Sequence, residues 1–420
     1  MKRQPIPGTS AGARWGRGSR RGGLGLLALL LGAMLLFVTA CAGSGASGDG
    51  GGKGGKDGAG KAGDTKASQA VVTIVPKDEA KNVATSGALK IGADKGRLTS
   101  VKVEDTKGNE VEGKITGDGT SWEPAHHLGA ATKYKVHAIA KDSEGRESAK
   151  DTTFTTLVPK NTFVTYFTPE DGSTVGVGMP VSLRFSRGIT EPEDVEKAIK
   201  VTAEPSVPVE GHWFGNDRLD FRPEKYWAAG TKVTLKLNLD GVEGRPGVYG
   251  KQSKTVKFTV GRSQVSVVDA KAHTMTVKRD GKVLKTVPIT AGAPSTTTYN
   301  GQMVISEKYT VTRMNGATVG FGGEYDIKDV PHAMRLSTSG TFIHGNYWAS
   351  AGTFGSANVS HGCVGLRDVR GGWDKNAPAA WFFNNSILGD VVVVKNSNDK
   401  QIQPDNGLNG WNMSWAEWKK

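Results

Sequence analysis

Two stretches of this 420-residue chain repeat the same punctuation a domain's length apart: Trp122-x-Pro124 followed by Thr132-Lys133, and Phe221-x-Pro223 followed by Thr231-Lys232, each at an offset of 99 positions. Pro76-Lys77-Asp78 is matched more loosely by Pro169-Glu170-Asp171. Short β-rich runs surround the first copy, at Val71 to Val75, Ala88 to Ile91, Ser100 to Val103, Tyr134 to Ala140 and Thr152 to Thr156, with Gly, Asp, Asn and Lys turns between them. A period of about 100 residues made of short strands predicts two tandem immunoglobulin-like β-sandwiches, here over 69–159 and 160–261. Neither unit carries a catalytic cluster. His126 and His127 are adjacent on an extended or looping segment, so their side chains point apart and make no metal pair.

A single core seldom grows past about 250 to 300 residues, so the remainder must form at least one further unit. It begins at Gly261 or Arg262 and runs to residue 396. Runs at Val265 to Val268, Thr274 to Val277 and Val283 to Thr290 flank Arg279-Asp280-Gly281, an Asp-Gly hairpin signal. Gly292 to Gly301 reads as a loop, followed by a strand at Met303 to Ile305. Asn315 to Pro331 reads as a long Gly-rich insertion before a strand at Ala333 to Leu336, and loops of that length in compact domains tend to be lids. Tyr325 lies in it and His332 just after it, which places both at the rim of a substrate groove. A helix is predicted from Ala377-Pro378 to Phe383 with Asn376 as its cap, and Val391 to Val394 closes the sheet. In the tail, 397–420, Trp411, Trp415 and Trp418 recur at i, i+4 and i+7, which puts three indoles on one helical face. That stripe would dock on the protein's own surface or bind wall polymer.

The N-terminal 40 residues read as an export signal: a basic stretch ending Arg20-Arg21, then the apolar run Leu24 to Val38, then small residues. The run is shorter than the ~20 residues that span a bilayer. It closes in Val38-Thr39-Ala40-Cys41, which resembles the lipobox of bacterial lipoproteins and makes Cys41 a lipidation site and the mature N-terminus. Residues 41–68 are Gly, Ala, Ser, Thr, Lys and Asp with hardly a large apolar side chain, a flexible tether with a reach near ~30 Å. Lys2, Arg3, Arg14, Arg17, Arg20 and Arg21 precede the cleavage point with no acid among them, so taking these six from the formal +13 leaves +7. No cluster of Lys and Arg with interleaved aromatics follows, which argues against nucleic acid as a partner.

The chemistry concentrates at Ser360-His361-Gly362-Cys363. Only two cysteines occur in the chain, and with Cys41 at the signal junction Cys363 has no disulfide partner in the folded part. A thiol on a Gly-flanked turn is a candidate nucleophile: glycine lets an acyl carbon approach and lets backbone N–H groups converge on an oxyanion. A cysteine attacks as the thiolate, and His344, nineteen residues upstream, and His361 are the imidazoles placed to form it near neutral pH. An inert buried thiol is an alternative reading, and so is a zinc site built from Cys363, His361, His344 and His332.

Phe342-Ile343-His344-Gly345, a spacer holding Asn358 and Val359, and then Ser360-His361-Gly362-Cys363 resemble the signature of the L,D-transpeptidase catalytic domain, the cysteine enzymes that cross-link bacterial peptidoglycan. The resemblance implies a mainly β chain: two sandwiches acting as spacers, as in the actinobacterial members, and a mixed, mostly β catalytic domain over 262–396. It implies Cys363 as nucleophile, His344 as general base, the Gly345 carbonyl as its orienting acceptor, and the turn from Ser360 and His361 through Gly362 to Cys363 as the oxyanion hole. Tyr325, His332, Asn346 and Gly365 fall along the substrate groove. One departure stands at Gly365, where members often carry Asn or Arg, so no side chain there holds the donor stem. Implied partners are peptidoglycan stem peptides, carbapenem-type β-lactams as acylating inhibitors, and the membrane through a lipid on Cys41; no cofactor or metal is implied. The same acyl-enzyme resolved by water or by a protein amine, or a non-catalytic wall-binding lipoprotein, are the rival readings.

Overall fold

The computed structural model describes residues 66–319 and 322–420. The signal, Cys41 and nearly all of the tether lie outside the described residues.

The chain is mainly β. The first sandwich packs a sheet in the order Val71–Val75, Lys90–Asp94, Ser121–Pro124, Gly113–Ile115 against one in the order Ala80–Val83, Glu147–Thr156, Lys133–Lys141, Arg97–Asp105. Strict alternation produces this: Tyr134, Val136, Ala138 and Ala140 turn inward while Lys133, Lys135, His137 and Lys141 stay wet. The second sandwich repeats the plan, pairing Thr165–Thr168, Val181–Phe185, Arg218–Arg222 and Glu210–Phe214 in one sheet and Thr174–Val175, Ser253–Val260, Lys232–Asn238 and Ile199–Glu204 in the other. The internal repeat is visible atom by atom. Trp122 and Phe221 are buried on equivalent strands. The carboxylates of Asp78 and Asp171 each accept a backbone N–H from the last long strand of their own sandwich, from Thr153 and Lys257, both at 2.7 Å.

The third unit is built on a nine-stranded sheet in the order Gly301–Val304, Val391–Lys395, Gln264–Asp269, Thr274–Arg279, Lys282–Thr290, Val364–Arg367, Phe342–Asn346, Asp326–Arg335, Glu307–Asn315. The Asp280-Gly281 hairpin forms with both residues at positive φ, 49° and 79°. Two expectations change here. Val391–Lys395 does not close the sheet but lies one strand in, because Gly301–Val304 takes the edge. The supposed long insertion is mostly ladder: Glu307–Asn315 and Asp326–Arg335 pair as a long hairpin, and only 316–325 are left to loop over. From Val330 to Met334 every residue is buried, so this strand has no alternation to read, and Pro331 interrupts its sequence signal. The helix Pro378–Asn384 begins as expected, but Ala377 holds the cap position and makes no side-chain cap bond.

The second sandwich and the nine-stranded sheet are not beads on a string. Val391 sits in the sandwich's core with Val175, Val177 and Met179, and Val265 and Val393 pack against it. Gly176 N–H donates to Leu388 O at 2.7 Å and Gly178 N–H to Gly389 O at 2.9 Å, so backbone joins backbone across the junction. The C-terminal tail seals it. Its indoles do not share one helical face, since the tail has a short 3-10 turn at Gly410–Asn412 and a four-residue helix at Trp415–Trp418. They converge instead on one cation: the Arg222 guanidinium lies 4.9, 5.3 and 4.3 Å from the rings of Trp411, Trp415 and Trp418. Trp411 Nε1 donates to Gly178 O at 2.7 Å, and Trp418 Nε1 donates to Glu210 O at 2.9 Å.

Candidate active site

The strand Phe342–Asn346 runs parallel to Val364–Arg367, with His344 opposite Gly365 and Ile343 opposite Val364. Ile343, Val364 and Leu366 turn into the main core of the domain. The alternate positions, Phe342, His344, Cys363 and Gly365, therefore face the other way. Phe342 and Cys363 meet there in a small separate cluster with Met314, Val330 and Ala333 of the long hairpin. Period-two alternation on two parallel neighbours thus puts a histidine and a cysteine nineteen positions apart on one face of the sheet.

The turn before the thiol is braced by Ser360. Its hydroxyl accepts from Gly362 N–H at 3.2 Å and donates to Cys363 O at 2.6 Å, while its backbone oxygen accepts from Ala293 N–H and Thr296 Oγ1, both at 2.8 Å. Gly362 holds a φ of 107°, which glycine adopts without penalty. Asn358 pins the loop leading in: its Oδ1 accepts from Ala291 N–H at 2.8 Å and its Nδ2 donates to Ala270 O at 2.9 Å. The Cys363 thiol is half-buried and donates to Gly340 O at 3.5 Å. Burial pushes its pKa up to about 11, against a lowering pull from the Phe342 N–H and from the charge of Arg335, which lies over the Phe342 ring at 4.5 Å.

His344 is buried and its Nδ1–H donates to the Gly345 carbonyl at 3.0 Å, which assigns the lone pair to Nε2. Trp348 stacks on it at 5.5 Å between centroids with 14° between planes. Burial lowers its pKa, opposed by the Gly345 carbonyl and by the charge of Asp368. His332 is not at a rim: it is buried, with Nδ1 2.7 Å from Asp368 Oδ2, because Asp368 follows the strand beside His344 and faces inward.

Tyr325 does reach the cysteine, packing in the same cluster, with its ring 5.0 Å from that of His361. Burial, and then the neighbouring Cys363, push its hydroxyl up to about 12. His361 Nε2 meets Glu324 Oε2 at 3.1 Å, so the loop tip touches the catalytic turn. Asn346 is buried, with Oδ1 accepting from Ala349 N–H at 3.0 Å. A β-carbon at Gly365 would stand 2.8 Å from Thr290 Cγ2 and 3.3 Å from Asn346 Nδ2, so the space of the missing side chain is already filled. Among the described residues no group of three or more His, Cys, Asp or Glu side chains is placed to hold a metal, and the zinc alternative has no site there. Sequence reasoning missed Asp368, Arg335, Glu324 and Trp348. The aromatic Trp348, four residues past His344, was the one that periodicity could have flagged.

Residues 263–394 match the family model described as the L,D-transpeptidase catalytic domain, and residues 80–243 match the bacterial Ig domain model. The chain is 31% identical over 405 residues to L,D-transpeptidase 2 of Mycobacterium tuberculosis, covering 94% of each. It is 30% identical over 356 residues to L,D-transpeptidase 5 of the same species, covering 83% of this chain and 76% of that one. A solved structure of an LD transpeptidase in complex with imipenem is 29% identical, covers 55% of this chain and 97% of its own, and has a TM-score of 0.46.

Proposed function

This chain belongs to the L,D-transpeptidases, and on that premise we propose that Cys363 is the nucleophile of a peptidoglycan cross-linking reaction, with His344 as its base. The observation that carries the assignment is the placing of His344 and Cys363 on one face of adjacent parallel strands, with the neighbouring residues turned into the core. The Cys363 sulfur attacks the carbonyl between the L-centre and the terminal D-residue of a tetrapeptide stem. The proton passes from sulfur to His344 Nε2 and then to the departing amine, so the C–N bond breaks as D-alanine leaves and an S–acyl bond remains. The side-chain amine of an acceptor stem attacks the thioester, gives up its proton by the same route and restores the thiol. The Gly345 carbonyl keeps His344 in the tautomer that can do this. The turn ending in Gly362 and Cys363 receives the developing oxyanion, Tyr325 lines the groove, and Asn346, buried beneath, holds the loop at Ala349. The unit 69–159 is a spacer, 160–261 both spaces and buttresses, and 262–396 is the catalytic domain, the whole held through a lipid on Cys41 at the outer face of the cytoplasmic membrane.

The test is intact mass after incubation with imipenem, alongside muropeptide analysis. The wild-type chain should gain one β-lactam and Cys363→Ser none, since a hydroxyl stays protonated where a thiol can be deprotonated. Acylated or cross-linking Cys363→Ser would remove the nucleophile from this position.

A further inference from the structure

Resting on the reading of His344 as base, we infer that Asp368, held by His332, is a positioning carboxylate that acts on His344 through Gly345. The Asp368 side chain is fully enclosed and that of His332 nearly so. Its Oδ2 lies 2.7 Å from His332 Nδ1 and its Oδ1 accepts from Val369 N–H at 2.8 Å, so both oxygens are fixed. Oδ2 also lies 2.2 Å from the point where a β-carbon on residue 345 would stand. Only glycine at 345 admits the carboxylate. The same residue's carbonyl takes the Nδ1–H of His344, so one peptide unit carries the carboxylate against its α-carbon and the base on its oxygen.

A buried negative charge at this spot favours the imidazolium form of His344, against the burial that disfavours it. His332 is built for the task of holding the carboxylate. It adopts a left-handed φ of 50°, and its ring is wedged so that a β-carbon on Gly372 would come within 3.0 Å of it; such conformations persist where the surroundings over-determine them. The charge that acts on His344 is that of Asp368, from the segment after the neighbouring strand, with His332 of the long hairpin behind it, and Cys363 lies on the same face of the sheet. The other charges of the site are engaged elsewhere, Arg335 with Glu307 at 2.7 Å and Glu324 with His361.

The experiment is the pH dependence of acylation by imipenem in the full chain. Asp368→Asn should lower the maximal rate on the order of tenfold to a hundredfold, the range in which metal-bound histidines lose function without the carboxylate behind them. The concentration giving half-maximal rate should not change. The acid limb of the profile should move to lower pH, because His344 loses the charge that favoured its protonated form. A wild-type profile in folded Asp368→Asn, or a slower rate with an unmoved limb, overturns the inference and leaves Asp368 a packing residue. If Asp368→Asn does not fold, Gly345→Ala, which must displace the carboxylate, should shift the limb the same way, and an unmoved limb again overturns it. His344→Ala separates the two readings: wild-type acylation by that variant removes His344 as base, whereas an inactive His344→Ala beside an unchanged Asp368→Asn removes only Asp368.

Discussion

The Cys363 thiol donates to the carbonyl oxygen of Gly340 at 3.5 Å, in surroundings that keep the proton on sulfur. The motif alone led to the expectation of a thiolate near neutral pH. Burial raises the thiol to about 11 and lowers His344, and both shifts favour a neutral pair before substrate binds.

Alkylation of the substrate-free chain by iodoacetamide should therefore rise through alkaline pH with an apparent pKa above the ~8.5 of a free thiol. His344→Ala should leave that profile nearly in place while acylation by imipenem is lost. An apparent pKa near or below 7 in the wild type would establish a preformed ion pair and reverse this account.

Gly365→Asn, which restores a side chain common in the family at this position, should destabilise the protein. Its β-carbon would meet Thr290 Cγ2 at 2.8 Å, and overpacking of this kind costs about 1–3 kcal/mol. Thermal melting should show a drop of several degrees, partly recovered by Thr290→Ser. A melting temperature equal to or above wild type would show that Thr290 and Asn346 yield freely.

Trp418→Ala should lower the melting temperature of the catalytic domain as well as that of the second sandwich, because this almost fully buried indole belongs to the shared junction; burying and then deleting such a side chain costs about 3–5 kcal/mol. Deleting residues 160–261 should cripple acylation by imipenem, whereas deleting 69–159 should spare it. Equal activity of both truncations on imipenem would show the second sandwich to be a spacer only.

Asp390 gives the junction a pH dependence. Burial pushes its carboxyl up to about 6, against the pull of Ile387 N–H and Arg262. A carboxyl whose folded pKa is raised favours the folded state below that value, so this contribution is lost as pH rises from about 4 through 6. Asp390→Asn should flatten the fall in melting temperature across that window, with its amide oxygen placed where Oδ2 now accepts from Ile387 N–H. An unchanged slope between pH 4 and 7 would remove Asp390 as its source.

Legibility followed the range of the physics. The sandwiches could be read because alternation and turn residues are local, and their repeat survives down to the paired roles of Asp78 and Asp171. The placing of His344 and Cys363 on one face could be read because neighbouring parallel segments carry them with glycine beside each. What escaped is non-local. Pro331 hid the continuity of Asp326–Arg335, and nothing about Asp368 in sequence says that it faces Gly345, since that contact depends on an absent β-carbon across a parallel ladder. The indole spacing implied a helix, but Arg222 gathers the rings from a broken one.

The clamp on Arg222 also sets an order of events in biogenesis. His212 Nδ1 meets Trp418 O at 2.9 Å across 206 positions of chain. The strands of the second sandwich are complete in sequence by residue 260, yet its surface is finished only by the segment from Trp411 to Trp418. A chain emerging from the N-terminus outward can close its first sandwich early, while the second and the catalytic sheet must wait for each other and for the final turn. Loss of residues 411–418 would leave an unsealed seam for proteases to find.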